Sequence, residues 1–468
     1  DDNPAYLVLS DPRLISSLLP GQNWQVSFTL EPRVKDRFRL ALTITYDDRN
    51  KRDKEIAFAD LVQLILPMRD FSPIPNPYLP GTPLRHDSLV FFGRENLFTL
   101  IAENAGRVSQ HNVLILIGQR RTGKTSFLLR LRQHLPENQL PVYIDCQSLG
   151  VIPGMPALLY ELAWQIADAL ATRGLEVAVP EPQHWQNDPT IHFQRRFLPQ
   201  VQALLPAGTI LLLVFDEFEA FENLVNDGIL PSTFFTYMRH LMQHSEGLSF
   251  VFVGTRHLEE MSADYWSVLF NIALYQKIGF LEVEAMTHLI TDPVAPNLVY
   301  DDLALDKIRR VTAGHPYFLQ LVCYTLVKQA NSRRASYVTI SDVNAALDEM
   351  MRLGEVHFAY LWQRSSFVER ALLTAVAHLM DAEMVFRADD LIHYLETYGI
   401  ELTAVEVTAA LNSLVEREIL SETPVGVNTQ YELKIGLVGL WVAQHKSLSK
   451  LHAEKDADRA KNKTAVTV

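Results

Sequence analysis

Cysteine is almost absent from the sequence, since Cys146 and Cys323 are the only two among 468 residues. Two cysteines cannot build a disulfide framework or a thiolate zinc site. We therefore expect a reducing, cytoplasmic setting for this chain. Long apolar runs are also absent, because none approaches the roughly 18–20 residues that a helix needs to cross a bilayer. With no signal peptide at its start, the sequence predicts no membrane contact.

Positive charge is scarce as well. The chain carries 42 Lys and Arg against 55 Asp and Glu, a net charge of −13. This balance gives no overall attraction to nucleic-acid phosphates, so we expect no nucleic-acid partner, although an acidic chain does not forbid one. The rest of the composition is typical of a globular protein, and the length predicts about two to four domains. Because the chain starts Asp1-Asp2 without methionine, we expect a trimmed form or the C-terminal part of a longer protein.

One short stretch carries most of the chemical signal. Residues 118–125 read G-Q-R-R-T-G-K-T, between the apolar run 113–117 and a helical pattern. A strand, a glycine loop and a helix in this order indicate a phosphate-binding loop rather than an ordinary glycine turn. The glycines let backbone N–H groups face phosphate oxygens, Lys124 would reach the β- and γ-phosphates, and the Thr125 hydroxyl would bind Mg²⁺. The residues predicted to line the nucleotide here are Gly118, Gln119, Arg120, Arg121, Thr122, Gly123, Lys124, Thr125 and Ser126.

Strand-like and helical stretches alternate from residue 113 to about residue 280. The apolar runs lie at 113–117, 142–144, 210–215 and 250–253, with a weaker one at 275–280. Helical patterns such as 157–171 and 233–243 separate them. This alternation predicts a parallel three-layer α/β core. The proline-rich connection at 179–189 is expected to be a surface insertion.

The segment before this core has a different pattern. Residues 1 to about 72 alternate polar and apolar side chains, as in 24–30, 38–46 and 55–58. Period-two alternation with turn residues between predicts a small β-rich module of antiparallel hairpins. Residues 71–83 contain five prolines and are expected to form a stiff extended linker.

The segment after the core is mainly helical. Residues 284–351 have a helical pattern, with Ser341 as the expected N-cap of one helix. Three further helices are predicted at 368–380, 388–398 and 403–416, followed by a hairpin at 419–435. This order predicts a winged-helix topology.

Two acidic residues, Asp216 and Glu217, follow the apolar run 210–215. Acidic pairs are common at strand ends, but this pair comes two strand-like runs after a strong phosphate-binding loop. The pattern looks like a Walker B motif, in which Asp216 would hold Mg²⁺ and Glu217 would polarise the attacking water as general base. Glu219 is expected to be a surface side chain.

The run 250–253 also ends in polar residues, Gly254-Thr255-Arg256. Beside a γ-phosphate, Thr255 or Arg256 could sense the phosphate, and Arg256 is favoured because it forms charge-assisted hydrogen bonds. The alternative is a strand-to-loop turn with a solvated arginine. The predicted catalytic set is therefore Lys124, Glu217 and Arg256.

These motifs, followed by Gly314-His315-Pro316, occur in an order that resembles STAND-class NTPases, which are signal-transducing switches related to AAA+ ATPases. Within that class the chain looks like the prokaryotic archaeal-type ATPases, because 92–95 is similar to their F-G-R-E box and 118–126 to their loop. The resemblance covers roughly residues 75–450. It implies that Phe92, Gly93, Arg94 and Pro316 border the base, and that Arg256 is the first sensor. For 314–316 the alternative is a plain helix–helix turn.

Taken together, pattern and resemblance predict six segments. They are a β-rich module at 1–72, a proline-rich linker at 73–88, a P-loop NTPase core at 89–282, a helical lid at 283–352, a winged-helix domain at 353–450 and a flexible tail at 451–468. Many relatives carry a Met-His-Asp triplet in the winged helix, which is absent from the matching residues 431–437. Lys434 is a weak candidate for sensing ADP in its place, and no arginine finger is assigned.

The resemblance implies a slow ATPase with ATP or ADP and Mg²⁺ as cofactors. ADP would keep the core, lid and winged helix closed, and exchange for ATP would open them and permit self-association, with an effector or sensor protein as partner in signalling or prokaryotic defence. The alternative is a DNA-binding AAA+ ATPase of the origin-recognition type. Against it, residues 403–417 hold two glutamates and one arginine, where a DNA-reading helix should be basic. A non-hydrolysing scaffold is disfavoured by the intact Lys124, Asp216 and Glu217.

Overall fold

The structure is a computed structural model. It describes residues 4–9, 26, 28–34, 37–46, 53–63, 71–105, 113–255, 273–379, 385–425 and 428–451. The chain divides into two compact units, Asp1–Ser72 and Pro73–Val468.

The first unit is built from antiparallel strand pairs. Strand β1 (Tyr6–Val8) pairs with β2 (Leu30–Pro32), and β3 (Arg37–Tyr46) pairs with β4 (Lys54–Gln63). Tyr6 and Phe38 are buried, with ring centroids 5.0 Å apart. The predicted β-rich character is confirmed. Residues 24, 25 and 27 of the strand predicted at 24–30 lie outside the described residues, and β2 begins only at Leu30.

A five-stranded parallel sheet forms the centre of the second unit. Its strands are β5 (Val113–Ile117), β6 (Gln139–Asp145), β7 (Ile210–Asp216), β8 (Leu248–Gly254) and β9 (Leu274–Lys277). The order across the sheet is β6-β7-β8-β5-β9, and every pair is parallel. All five apolar runs identified in the sequence are strands. The weakest, β9, ends at Lys277 rather than at the predicted residue 280 because a loop begins there.

Helices cover both faces of this sheet. They are α1 (Glu95–Ala105), α2 (Lys124–Leu128), α3 (Leu131–His134), α4 (Met155–Ala171), α5 (Pro189–His192), α6 (Leu198–Leu204), α7 (Ala220–Asn226) and α8 (Phe234–His244). Alternate strand residues face opposite ways, so Leu114 and Leu116 pack with α1 and α2 on one face. Ile115 and Ile117 pack with α4 and α8 on the other. The predicted three-layer α/β core is confirmed.

The proline-rich stretch at 179–189 is only partly the surface insertion that we predict. Trp185 lies in a short 3₁₀ turn, Pro182–Trp185, and its side chain is fully buried. Its indole N–H donates to the carbonyl of Pro180 at 3.0 Å. The insertion is therefore anchored in the core by one aromatic side chain.

The C-terminal part of the second unit is mainly helical. Its helices are α9 (Val283–Thr291), α10 (Asp302–Thr312), α11 (Pro316–Arg333), α12 (Ile340–Leu353), α13 (Glu355–Gln363), α14 (Phe367–Leu379), α15 (Ala388–Glu396), α16 (Ala404–Glu416) and α17 (Gly436–His445). Strands β10 (Val299–Tyr300) and β11 (Tyr337–Val338) form a short parallel pair, and β12 (Leu420–Val425) and β13 (Asn428–Leu433) form an antiparallel hairpin. One hydrophobic core extends through all of these helices. The N-cap of α12 is Thr339, not Ser341, because Thr339 forms a capping box with Asp342.

The proline-rich segment before α1 has no regular secondary structure, as its prolines predict, but it is packed rather than free. Ile74 and Tyr78 are buried in the same core as α9 and α11. The Tyr78 hydroxyl lies 3.1 Å from the Leu289 carbonyl and 2.9 Å from that of Ile290. The backbone N–H of Leu84 donates to the Ser126 hydroxyl at 2.9 Å. We call residues 73–91 the strap, because they join the C-terminal helices to the helix that follows the glycine loop.

Across the ranges that the structure describes, no helix combines the length and the apolar character needed to cross a bilayer.

The packing of the strap predicts a stability effect. Tyr78→Phe removes the donor to two buried carbonyls and should destabilise the protein by about 1–3 kcal/mol. Tyr398→Phe is the matched control, since Tyr398 is 43% exposed, and should leave the urea midpoint unchanged. Equal midpoints for the two variants would contradict a packed strap.

Candidate functional site

The glycine loop connects β5 to α2, and its two glycines are needed for different reasons. A Cβ on Gly118 would lie 2.6 Å from the Ile278 carbonyl oxygen and 2.9 Å from the Thr122 hydroxyl. Only glycine permits this close approach. Gly123 has a φ of +88°, which favours glycine, and a Cβ there would meet no atom within 4 Å. The loop therefore curves around an open cradle on the side of Gly123.

Lys124 is the first residue of α2 and is buried. Its ammonium donates to the carbonyls of Gly118 at 3.0 Å and Gln119 at 2.8 Å. Burial lowers the pKa of Lys124, while the nearby carboxylates of Asp216, Glu219 and Glu217 oppose that shift. The Lys124 ammonium is therefore held inside the curve of the loop, where it can bind an anion.

Asp216, the last residue of β7, is buried and fully hydrogen-bonded. Its Oδ2 accepts from the Thr125 hydroxyl at 2.7 Å and from the Tyr143 hydroxyl at 3.1 Å. Its Oδ1 accepts from the backbone N–H of Glu217 at 3.1 Å. Burial raises the pKa of Asp216, and these hydrogen bonds oppose the rise. The structure thus brings together Thr125 and Asp216, the two predicted metal ligands.

Glu217 has a strained backbone, with a φ of +52° that non-glycine residues rarely adopt. Burial raises the pKa of Glu217, as do the neighbouring Asp216 and Glu219. Strain and a raised carboxyl pKa are common at functional sites. A carboxylate with a raised pKa is a stronger base.

The end of β8 is held by Glu219. Glu219 Oε1 accepts from the backbone N–H of Thr255 at 2.9 Å and from its hydroxyl at 2.8 Å. The expectation of a surface role for Glu219 is therefore wrong, since it joins the ends of two neighbouring strands. The Thr255 hydroxyl donates to this carboxylate. Arg256, our preferred sensor, lies outside the described residues.

A cavity of about 280 Å³ adjoins the loop. It is lined by most of the residues that are predicted to bind or act on the nucleotide, namely Phe92, Arg94, Arg120, Arg121, Thr122, Gly123, Lys124, Thr125, Ser126, Glu217 and Pro316. The strap supplies a further wall through residues 81–84, and α11 supplies Tyr317 and Gln320. Gly93, Gly118, Gln119 and Asp216 do not line this cavity.

Arg94 reaches backbone rather than open space. Its buried guanidinium donates to the carbonyls of Thr122 at 3.1 Å and Gly279 at 2.8 Å. Burial lowers the pKa of Arg94 to about 10, so it stays charged. The side chain fixes the glycine loop to the segment after β9, whereas the resemblance implies that it borders the base.

Gly93 and Gly314 lie where the core meets the C-terminal helices. A Cβ on Gly93 would stand 2.4 Å from the Cβ of Ala285, and one on Gly314 would stand 2.3 Å from the Leu281 carbonyl oxygen. Gly314 also accepts a hydrogen bond from the Leu281 N–H at 2.9 Å. Residues 314–316 are thus a close contact between two parts of the unit, as well as a turn between α10 and α11.

The first half of the glycine loop also contacts the C-terminal helices. The Gln119 side-chain amide donates to the carbonyl of Arg417, and the Arg120 guanidinium lies 5.0 Å from the ring centre of Tyr360. Lys277, at the end of β9, pairs with Glu418 at 3.4 Å. A second cavity of about 470 Å³ lies between these groups. Arg121 stacks 4.4 Å from the ring centre of Tyr317 on α11.

Tyr143, Tyr317 and the strap were not found by sequence reasoning. The sequence alone does not show which side chain on the neighbouring strand a tyrosine will contact. The packing of the strap does have a signal in the sequence, because Ile74 and Tyr78 are large apolar residues that a solvated linker does not need.

Lys434, the weak candidate for sensing ADP, pairs with Glu418 at 2.9 Å and lies 4.6 Å from the Phe280 ring centre. It does not line the 280 Å³ cavity.

Comparisons with known proteins agree with this geometry. Residues 107–262 match the family model described as an AAA domain. The chain is similar to a Walker-type ATPase of Pyrococcus abyssi, at 16% identity and a TM-score of 0.54, over 77% of this chain and 98% of that one. It is also similar to the ORC2 protein of Aeropyrum pernix, at 13% identity and a TM-score of 0.49, over 81% and 97%. No curated protein matches the sequence. The central sheet and the helices around it therefore have the α/β fold of a P-loop NTPase core.

The contact at Gly314 predicts a large cost for a single methyl group. Gly314→Ala combines backbone strain of about 1–2 kcal/mol with a clash worth a further 1–3 kcal/mol or so. Gly228→Ala is the control, since Gly228 has a φ of +71° but open space around it, and it should show the strain alone. If thermal unfolding gave the two variants the same loss, the close contact at Gly314 would be refuted.

Proposed function

We propose that this chain is an ATP-hydrolysing molecular switch of the STAND type. The observation that carries the proposal is the double use of the glycine loop. Its second half curves around the cradle beside Lys124, and its first half contacts α13 and the end of α16 through Arg120 and Gln119. A change at the bound phosphates would therefore directly alter the contacts between the loop and the C-terminal helices.

The residues present fit a nucleotide with Mg²⁺. The cradle at Gly123 has room that a side chain would fill, and the adjacent Thr125 hydroxyl and Asp216 carboxylate are the hard oxygen donors that Mg²⁺ prefers. When bound, Mg²⁺ would neutralise negative charge on the β- and γ-phosphate oxygens. Thr125 and Asp216 would hold it. Phe92, Pro316 and the strap residues 81–84 would enclose the base.

The protein side chains have separate roles in this proposal. Lys124 would exchange loop carbonyls for phosphate oxygens as its hydrogen-bond acceptors. Glu217 would take the proton of the attacking water, which its raised carboxyl pKa favours. Glu219 would keep the β8 end in place, and Arg256 would contact the γ-phosphate as the first sensor.

The switch would operate between the glycine loop and the C-terminal helices. Helices α14, α15 and α16 followed by the β12–β13 hairpin have the element order of a winged helix, which we assign to residues 353–450. The described contacts of Gln119, Arg120 and Lys277 would belong to the closed, ADP-bound form. A γ-phosphate would bind one form better than the other, and this differential affinity is what shifts a two-state equilibrium. The open form would self-associate, and mass measurement with ADP and with an ATP analogue would test this.

Duplex DNA binding is the alternative function. It would require a basic helix on the winged-helix segment, whereas α16 carries Glu406 and Glu416 and no lysine or arginine between its ends. We therefore infer that nucleic acid is not the target. Salt-dependent binding to duplex DNA at micromolar protein would reverse this choice.

Two variants test the enzyme. Lys124→Ala should lose nucleotide binding, because it removes the buried cation from the loop. Glu217→Gln should bind ATP as the wild type does but hydrolyse it about 10²–10⁴-fold more slowly, since it lacks the general base. Phosphate release and retention of a fluorescent ATP are the measurements. Equal hydrolysis by the wild type and Glu217→Gln would remove Glu217 from the proposed role.

A third variant tests the switch at a residue that does not itself line the nucleotide cavity. Tyr360 lies under Arg120 and lines only the larger cavity. Because a cation–π contact is worth about 0.5–2 kcal/mol, Tyr360→Leu should speed the release of fluorescent ADP by about 2- to 30-fold. Tyr398→Leu, in the turn that follows α15, should not change the release rate. An unchanged rate in Tyr360→Leu would mean that closure does not retain ADP.

A further inference from the structure

Tyr143 lies on β6 beside the metal-binding end of β7. In the parallel register its Cα pairs with Val214, and Asp216 stands two residues further along β7. Two residues span about 6.6 Å along a strand, and residues i and i+2 of a strand share a face. A tyrosine hydroxyl reaches that far, but a serine, threonine or asparagine at 143 would fall short.

The hydroxyl of Tyr143 meets the carboxylate directly. It donates to Asp216 Oδ2 at 3.1 Å, the same oxygen that accepts from the Thr125 hydroxyl. Oδ1 is held by the backbone N–H of Glu217. Three donors from three elements therefore fix the rotation of one carboxylate. Of the three donors, the phenol is the one that a single conservative substitution can remove while leaving the glycine loop and the backbone intact.

We propose that Tyr143 is a positioning residue for Mg²⁺, acting through Asp216. This inference rests on the proposed function, because it assumes that Thr125 and Asp216 hold the metal of a bound nucleotide. Residues that hydrogen-bond a metal ligand orient it, and their loss typically weakens metal affinity by about 10- to 100-fold. Tyr143 does not line the 280 Å³ cavity, so its proposed effect on the metal runs through Asp216.

The test uses binding rather than hydrolysis. A fluorescent, non-hydrolysable ATP analogue is titrated into the full chain at a series of Mg²⁺ concentrations and in EDTA. Tyr143→Phe should raise the Mg²⁺ concentration for half-maximal binding by about tenfold, while binding in EDTA stays at the wild-type value. Tyr237→Phe is the matched control, because the Tyr237 hydroxyl donates to the Thr190 carbonyl at 3.5 Å, in the same unit but away from Asp216. It should leave the Mg²⁺ dependence unchanged.

The outcomes separate this inference from the proposed function. Wild-type protein that binds the analogue in an Mg²⁺-dependent way, with Tyr143→Phe showing the same dependence, would overturn the role of Tyr143 and leave the switch intact. A parallel loss of binding in EDTA would also overturn it, because the phenol would then support the fold of the site and not the metal. Wild-type protein that binds no analogue would overturn both.

Discussion

All five strands of the central sheet run parallel, and this constraint places their carboxyl ends along one edge. This arrangement alone brings together the glycine loop after β5, the carboxylates at the end of β7 and the polar residues after β8. The same edge carries Lys277 at the end of β9, which pairs with Glu418 of the C-terminal region. One edge thus serves the proposed nucleotide and the contact with the helices.

The buried charges at this edge cost folding free energy, and many hydrogen bonds are needed to offset that cost. Lys124 and Asp216 are both buried, and burying a charge is unfavourable unless it is paired and hydrogen-bonded. Each has several partners: loop carbonyls for the ammonium, and two hydroxyls with one N–H for the carboxylate. Arg121 and Glu217 add strained backbones with positive φ. Such strain persists only where the surrounding structure enforces it, here through the sheet, Arg94 and the strap.

The sequence predicted what depends on local pattern. Apolar runs predicted all five strands, and the glycine loop with Glu217 predicted many of the residues that line the 280 Å³ cavity. Contacts between distant segments were not readable, because no local pattern shows that Tyr143 reaches Asp216 or that Tyr78 packs on α9. Glu219 was misjudged for the same reason, since its partner Thr255 directly follows another strand, β8. Arg94 lines the cavity as expected, but its guanidinium is committed to two backbone carbonyls.

The central claim is that the nucleotide controls the contact between the glycine loop and the C-terminal helices. Distance measurement by electron paramagnetic resonance tests it directly. One spin label is placed on Val151→Cys, on the surface of the α/β part of the second unit, and the other on Val405→Cys of α16. Both positions are strongly exposed, and the native cysteines are buried. In the Glu217→Gln background, ADP should give one short distance, and ATP with Mg²⁺ should move the population to a longer one. The same distance distribution with both nucleotides would contradict the switch.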